Sequence, residues 1–85
     1  MYLISLTSED LEFLRFNRNI IDNCIYDLDA NSSEWDIQCA ANMAKDGIER
    51  DRYSNIISDI YLDNKGIVVL EVLASYIYQK LREEI

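Results

Sequence analysis

The sequence predicts a mainly α-helical fold, a compact bundle of about four helices that a short N-terminal strand can accompany. Its 85 residues are enough for one small domain spanning residues 1–85. Apolar residues make up 49% of the chain and recur at helical spacing in four segments. Helix breakers are rare, with two glycines and no proline, so short turns are expected between the helices.

The first predicted helix runs from about residue 8 to 28 and has a clear start. Thr7 and Asp10 have the spacing of a capping box, and Leu6 and Leu11 have that of a hydrophobic staple. The apolar positions that follow keep a period of about 3.6 residues: Phe13, Leu14, Ile20, Ile21, Cys24, Ile25 and Leu28.

A second helix is predicted over about residues 34–46. Its inward positions are small or apolar, which allows another helix to approach closely: Ile37, Ala40, Ala41 and Ala44. Gly47 suits the left-handed position that ends a helix, so we expect the helix to stop there.

The third and fourth helices are predicted over residues 48–62 and 67–85. The third has helical spacing at Tyr53, Ile56, Ile57, Ile60 and Tyr61, and the fourth at Leu70, Leu73, Ala74, Ile77 and Leu81. The sequence Asp63-Asn64-Lys65-Gly66 between them is a strong turn signal.

Residues 60–72 leave an alternative open, because β-branched residues crowd the second half of this segment. The segment can also form a β-hairpin around Asp63–Gly66, which residues 2–6 would extend as a third strand of an α+β fold. We prefer four helices, since the apolar spacing stays regular from Leu70 to Leu81.

Charge is the main compositional feature, with sixteen acidic residues against eight basic ones and a net charge of −8. This excess of acid argues against direct nucleic-acid binding and favours encounter with a basic protein partner. Acidity that serves only solubility is the simpler interpretation. Cys24 and Cys39 are expected to be free thiols in the cytoplasm, and neither a secretory signal nor a membrane span is predicted.

The absent motifs argue against an enzyme. The chain lacks histidine, the commonest general base, and therefore any Ser-His or Cys-His pair. It has no phosphate-binding glycine motif and too few nitrogen and sulfur ligands for zinc. We therefore assign no catalytic residue, metal or cofactor.

Residues 26–36, YDLDANSSEWD, carry the one motif with a chemical resemblance, to a calcium-binding EF-hand loop. A loop starting at Asp27 fails at three defining positions, which are Ser32, Glu34 and Gln38. The stretch fits a connection between helices better, with Asn31 or Ser33 capping the second helix.

The same stretch is the candidate partner-binding surface, in which two aromatic residues flank four acids: Tyr26, Asp27, Asp29, Glu34, Trp35 and Asp36. Aromatic anchors among carboxylates suit an Arg- and Lys-rich protein surface. Negative charge is also unfavourable just after a helix, which suggests selection for something besides stability. In the competing interpretation, Trp35 packs beneath the loop and the acids are merely solvated.

Two functions follow as hypotheses. The first is a small acidic binding protein that masks a basic surface of a protein partner, as immunity proteins, antitoxins and phage-encoded inhibitors do. That partner would be a toxin, a defence complex or a regulator. The second is a homo-oligomeric adaptor, for instance a homodimer. It rests on apolar residues outside the main stripe of the last helix: Val68, Val69, Val72 and Tyr76.

Overall fold

The computed structural model describes residues 3–83, which form five α-helices: α1 Ser8–Phe16, α2 Arg18–Ile25, α3 Glu34–Arg50, α4 Ile56–Lys65 and α5 Val68–Leu81. A short 3-10 turn, Arg52–Ser54, precedes α4. No strand occurs within residues 3–83, so the mainly α-helical prediction is confirmed. Residues 60–72 form two helices joined by a turn instead of a hairpin. Tyr2 and the last two residues lie outside the described part of the chain.

The first predicted helix starts as expected but is broken at Asn17. The capping box is present, with Thr7 Oγ1 accepting from the Asp10 backbone N–H and Asp10 Oδ2 accepting from the Thr7 N–H. Asn17 Nδ2 donates to the Phe13 carbonyl at 2.9 Å and to Ser58 Oγ at 2.8 Å. This buried contact to α4 accompanies the end of α1, so the single helix over residues 8–28 is corrected to α1 and α2.

Helix α3 packs against both α2 and α5, and its alanine-rich face is buried as predicted. The expectation that Gly47 ends this helix is wrong, because α3 continues to Arg50. A Cβ atom at Gly47 would lie only 3.0 Å from a methyl group of Ile20. The glycine therefore allows close approach of α2 within the helix, and the left-handed helix end falls instead at Gly66, with a φ of 58°.

Helix α4 turns a different face inward from the one that its apolar spacing predicts. It starts at Ile56, where Asn55 Oδ1 accepts two backbone N–H groups, and its buried residues are Ser58, Tyr61 and Leu62. Ile56, Ile60 and Tyr53 are exposed, which corrects their assignment to the inward stripe. The buried hydrogen bonds of Ser58 to Asn17 and of Tyr61 to Asp10 account for the difference.

Helix α5 contributes a large part of the buried core. Of the four residues on which the homodimer hypothesis rested, Val69 and Val72 are fully buried in the core, whereas Val68 is 39% exposed and Tyr76 is partly buried. The N-terminal segment lies against this helix, where the Ile4 backbone N–H donates to the buried Ser75 Oγ at 3.0 Å. Within residues 3–83, no helix combines the length and the apolar character needed to span a bilayer.

Candidate functional site

The connection between α2 and α3 is a compact turn held by its own polar side chains. Asp29 Oδ1 accepts from the Asn31 backbone N–H at 2.8 Å, and Ser32 Oγ accepts from the Asp29 N–H at 2.9 Å. The Ser32 backbone N–H in turn donates to the Asp29 carbonyl. Asp29 therefore shapes this turn, a role that aspartate side chains commonly have.

Ser33 is the residue that caps α3. Its Oγ accepts from the Asp36 backbone N–H at 3.2 Å, which decides between the two predicted capping residues. Glu34 and Asp36 lie in the first turn of α3, where the helix dipole favours negative charge. Asp27, by contrast, follows the C-terminal end of α2, where the helix dipole gives it no such support.

Both aromatic residues of the predicted surface are exposed to solvent. Tyr26 is 85% exposed and Trp35 is 75% exposed. The expectation that Trp35 packs beneath the loop is therefore wrong, whereas the other part of the competing interpretation, that the acids are merely solvated, stays open. Exposed Tyr and Trp side chains are enriched at protein-binding surfaces.

Four of the eight basic residues form ion pairs within residues 3–83, and their acidic partners lie outside the predicted surface. The ion pairs among residues 3–83 join Lys45 to Glu49, Arg52 to Asp59 and Asp63, Lys65 to Asp10, and Lys80 to Asp22. Within that part of the chain, no basic side chain forms an ion pair with Asp27, Asp29 or Asp36. The negative charge of these three carboxylates is therefore presented to solvent.

An open groove adjoins this surface along the seam between α2 and α3. The part near the loop has a volume of about 170 Å³ and is lined by two predicted site residues, Asp27 and Asp36. The structure therefore brings these two carboxylates to one groove, although they are nine positions apart in the sequence. Sequence reasoning missed the groove, because nothing in the local pattern indicates which side of the α2–α3 contact is open.

The most tightly connected polar cluster lies elsewhere, between α1 and α4. Asp10 is only 2% exposed, and its Oδ1 accepts from the Tyr61 hydroxyl at 2.6 Å and from Lys65 Nζ at 3.3 Å. The Tyr61 ring stacks on Phe13 with centroids 4.0 Å apart. Sequence reasoning found the Asp10 cap but not this cluster, since no local pattern links Asp10 to a residue 51 positions away.

Burial and hydrogen bonding act in opposite directions on the Asp10 carboxyl. Burial alone would raise its pKa, but hydrogen bonds from Tyr61, Thr7 and Lys65 outweigh burial and hold the pKa below the ordinary value. Burial and the hydrogen bond to Asp10 both raise the pKa of the Tyr61 hydroxyl. The pair is thus a carboxylate and a neutral phenol, an arrangement that joins the two helices.

A second exposed surface follows the outer side of α4. Ile56 is 72% exposed and Ile60 is 54% exposed. Ile60 also lines a groove of about 410 Å³, together with Glu9 and Glu12 of α1. This surface combines apolar and acidic groups as the predicted one does, but it carries no exposed aromatic side chain in the groove lining.

Among residues 3–83, no group of three or more Cys, Asp or Glu side chains is arranged to hold a metal ion. The two cysteines are both free thiols. Comparisons with protein-family models, with curated proteins and with solved structures found no match to this chain.

Proposed function

We propose that this chain is a small acidic binding module that masks a basic surface of a protein partner. One observation carries the proposal: Tyr26 and Trp35 lie exposed beside Asp27, Asp29 and Asp36, none of which a basic side chain within residues 3–83 neutralises. The carboxylates would steer a basic partner into contact, and the aromatic rings would slow its dissociation.

The mode of action would be blocking without catalysis. Carboxylates on this surface can lie where a nucleic-acid phosphate or another anionic ligand of the partner would otherwise bind. Immunity proteins, antitoxins and phage-encoded inhibitors act in this general way, and the partner would be a toxin, a defence complex or a regulator. The proposal assigns the encounter to the cytoplasm, where free thiols such as Cys24 and Cys39 stay reduced.

The test begins with affinity capture from the native cell, mass-spectrometric identification of the partner, and purification of both proteins. We expect the association rate constant to fall at least tenfold between about 0.01 M and 1 M salt, because screening shortens the reach of the field. Asp27→Lys should slow association at low salt, whereas Asp51→Lys, a matched charge reversal at the far end of α3, should slow it less. An association rate that changes neither with salt concentration nor with either charge reversal would contradict the proposal.

A homo-oligomeric adaptor is the second candidate, and a different surface now favours it. Ile56 and Ile60 are exposed on α4 beside a groove of about 410 Å³, so a second copy of the chain could cover them. Sedimentation across a wide concentration range tests this idea. A dimer that Ile60→Lys converts to a monomer would support it, and a wild-type chain that stays monomeric would exclude it.

A further inference from the structure

The groove between α2 and α3 continues well beyond the loop surface. Its part near the loop, about 170 Å³, and a second part of about 290 Å³ share Cys24 and Met43 in their walls. The second part reaches Arg50, the last residue of α3. Counted along α3 from Asp36 to Arg50, the groove extends about 21 Å, or roughly four helical turns.

The two helices run antiparallel along this groove and provide an apolar floor. Contacts pair Ile20 near the start of α2 with Gly47 near the end of α3. The floor is made of apolar and thiol side chains from both helices and from the loop that joins them: Ile20, Cys24, Leu28, Cys39, Ala40 and Met43. Met43 is 59% exposed, and its flexible side chain suits contact with varied partners.

Charge is distributed unevenly from one end of the groove to the other. Asp27 and Asp36 line the end near the loop, and Asp46 lies on the second part. Arg50 is the one basic residue among the described lining residues, and it stands at the opposite end, where its Nε donates to the Asp46 carbonyl. An occupant that matches this pattern has basic side chains at one end only.

We propose that the groove binds an amphipathic α-helix of the protein partner, with its apolar stripe on the groove floor. The Lys or Arg residues of that helix lie over Asp27 and Asp36, and its other end lies near Arg50. Strand addition is a poor alternative, because residues 3–83 contain no sheet edge to extend. This inference rests on the proposed function and names the element of the partner that is recognised.

The probe is a random library of displayed 16-residue peptides, selected on the intact chain. We expect enriched peptides to carry apolar residues at positions i, i+3 or i+4, and i+7, with Lys or Arg at one end. Trp35 is the only tryptophan of the chain and is exposed, so its fluorescence should shift to shorter wavelength when a selected peptide binds. Failure to enrich any peptide, or enrichment without helical spacing, would overturn the inference.

Two matched variants locate the binding site. Met43→Lys places a cation on the exposed floor of the groove and should weaken selected peptides at least tenfold, because a charge would replace an apolar contact. Tyr53→Lys adds the same charge at an exposed position away from the groove and should change affinity less than twofold. Equal binding to both variants would place the peptides elsewhere and overturn the inference.

The captured partner separates this inference from the proposed function. A partner that associates more slowly with Asp27→Lys but binds Met43→Lys normally would support the masking function and contradict helix binding in the groove. A partner that is insensitive to both substitutions would contradict both the masking function and helix binding in the groove.

Discussion

Two helices of this protein begin with the same local capping pattern, but the aspartate of each pattern has different surroundings. At α1, Thr7 caps the helix and Asp10 lies three residues later; at α3, Ser33 caps and Asp36 lies three residues later. Both hydroxyls accept the backbone N–H of the aspartate, at 3.1 and 3.2 Å. Yet Asp10 is buried with Tyr61 and Lys65 as partners, whereas Asp36 is exposed on a groove.

The comparison separates the contribution of the cap hydrogen bond to stability from the contribution of the aspartate carboxylate. The cap is local and has a similar stabilising effect at either helix. The contribution of the carboxylate depends on tertiary partners, since a buried charge must be satisfied by hydrogen bonds and an exposed one need not be. We therefore interpret Asp10 as a residue that holds α1 on α4, and Asp36 as one whose charge is available for a partner.

The largest expected effect is the loss of the Asp10 carboxylate. Asp10→Ala leaves the Tyr61 hydroxyl and the Thr7 backbone N–H without their acceptor, and Lys65 without its ion pair. We expect the free energy of unfolding to fall by about 3 kcal/mol. Urea denaturation followed by circular dichroism measures it.

Asp36→Ala is the matched control, because it removes an aspartate from the same position of a cap in which the Ser33 hydroxyl likewise accepts the aspartate N–H. It should cost less than about 1 kcal/mol, mainly through the lost interaction with the helix dipole. Equal losses of unfolding free energy for the two variants would show that only the cap contributes to stability. The distinction between Asp10 and Asp36 would then be wrong.

Acid should reveal the contribution of the Asp10 carboxylate to stability. Burial would raise the pKa of Asp10, but hydrogen bonds from Tyr61, Thr7 and Lys65 hold it below its ordinary 3.8. The unfolded chain therefore binds more protons than the folded chain between the two pKa values. The stabilisation by this carboxylate is present above about pH 4 and is lost as the pH falls through the lower, folded pKa.

Denaturation at a series of pH values between about 6 and 2 checks this expectation. Asp10→Asn should flatten the acid limb of the stability curve, because it removes a carboxyl whose pKa is lower in the folded chain. The expectation is contradicted if Asp10→Asn loses stability in acid as steeply as the wild type.

The two caps themselves should respond alike, which sharpens the comparison. Thr7→Ala and Ser33→Ala each remove a hydroxyl that accepts one backbone N–H at a helix start. Each should lower the free energy of unfolding by about 1 kcal/mol. Thermal unfolding of the two variants side by side measures the difference, and a Ser33→Ala loss several times that of Thr7→Ala would show that the loop surface has structural importance.

Local signals in the sequence predicted what local interactions decide. The Thr7 cap, the caps considered at Asn31 and Ser33, the turn at Gly66 and the overall helical character all depend on residues within a few positions of each other. Tyr26 and Trp35 are exposed, as a partner-binding surface requires, and their role in binding stays a prediction.

Long-range polar contacts decided what the sequence could not. The break at Asn17 and the inward face of α4 both involve a hydrogen bond between residues 41 positions apart, Asn17 and Ser58. Apolar spacing alone predicted that Ile60 faces inward and that Val72 lies outside the main stripe. In the structure, Ile60 is exposed and Val72 is buried. A hydrophobic period cannot detect such cases, because a satisfied buried polar group fixes a helix face as firmly as an apolar side chain does.

The smallest expected effect on stability is at Trp35, on the proposed surface. Trp35 is 75% exposed, so Trp35→Ala removes little buried area and should change the free energy of unfolding by less than about 0.5 kcal/mol. If the ring is an anchor, the same substitution should speed dissociation of the captured partner at least tenfold. Phe16→Ala, which removes another exposed aromatic ring outside the loop surface, is the matched control and should leave dissociation unchanged. A large stability loss with normal partner binding would show that Trp35 is a structural residue. The contrast between a buried aspartate that stabilises the fold and an exposed surface that binds a partner would then be wrong.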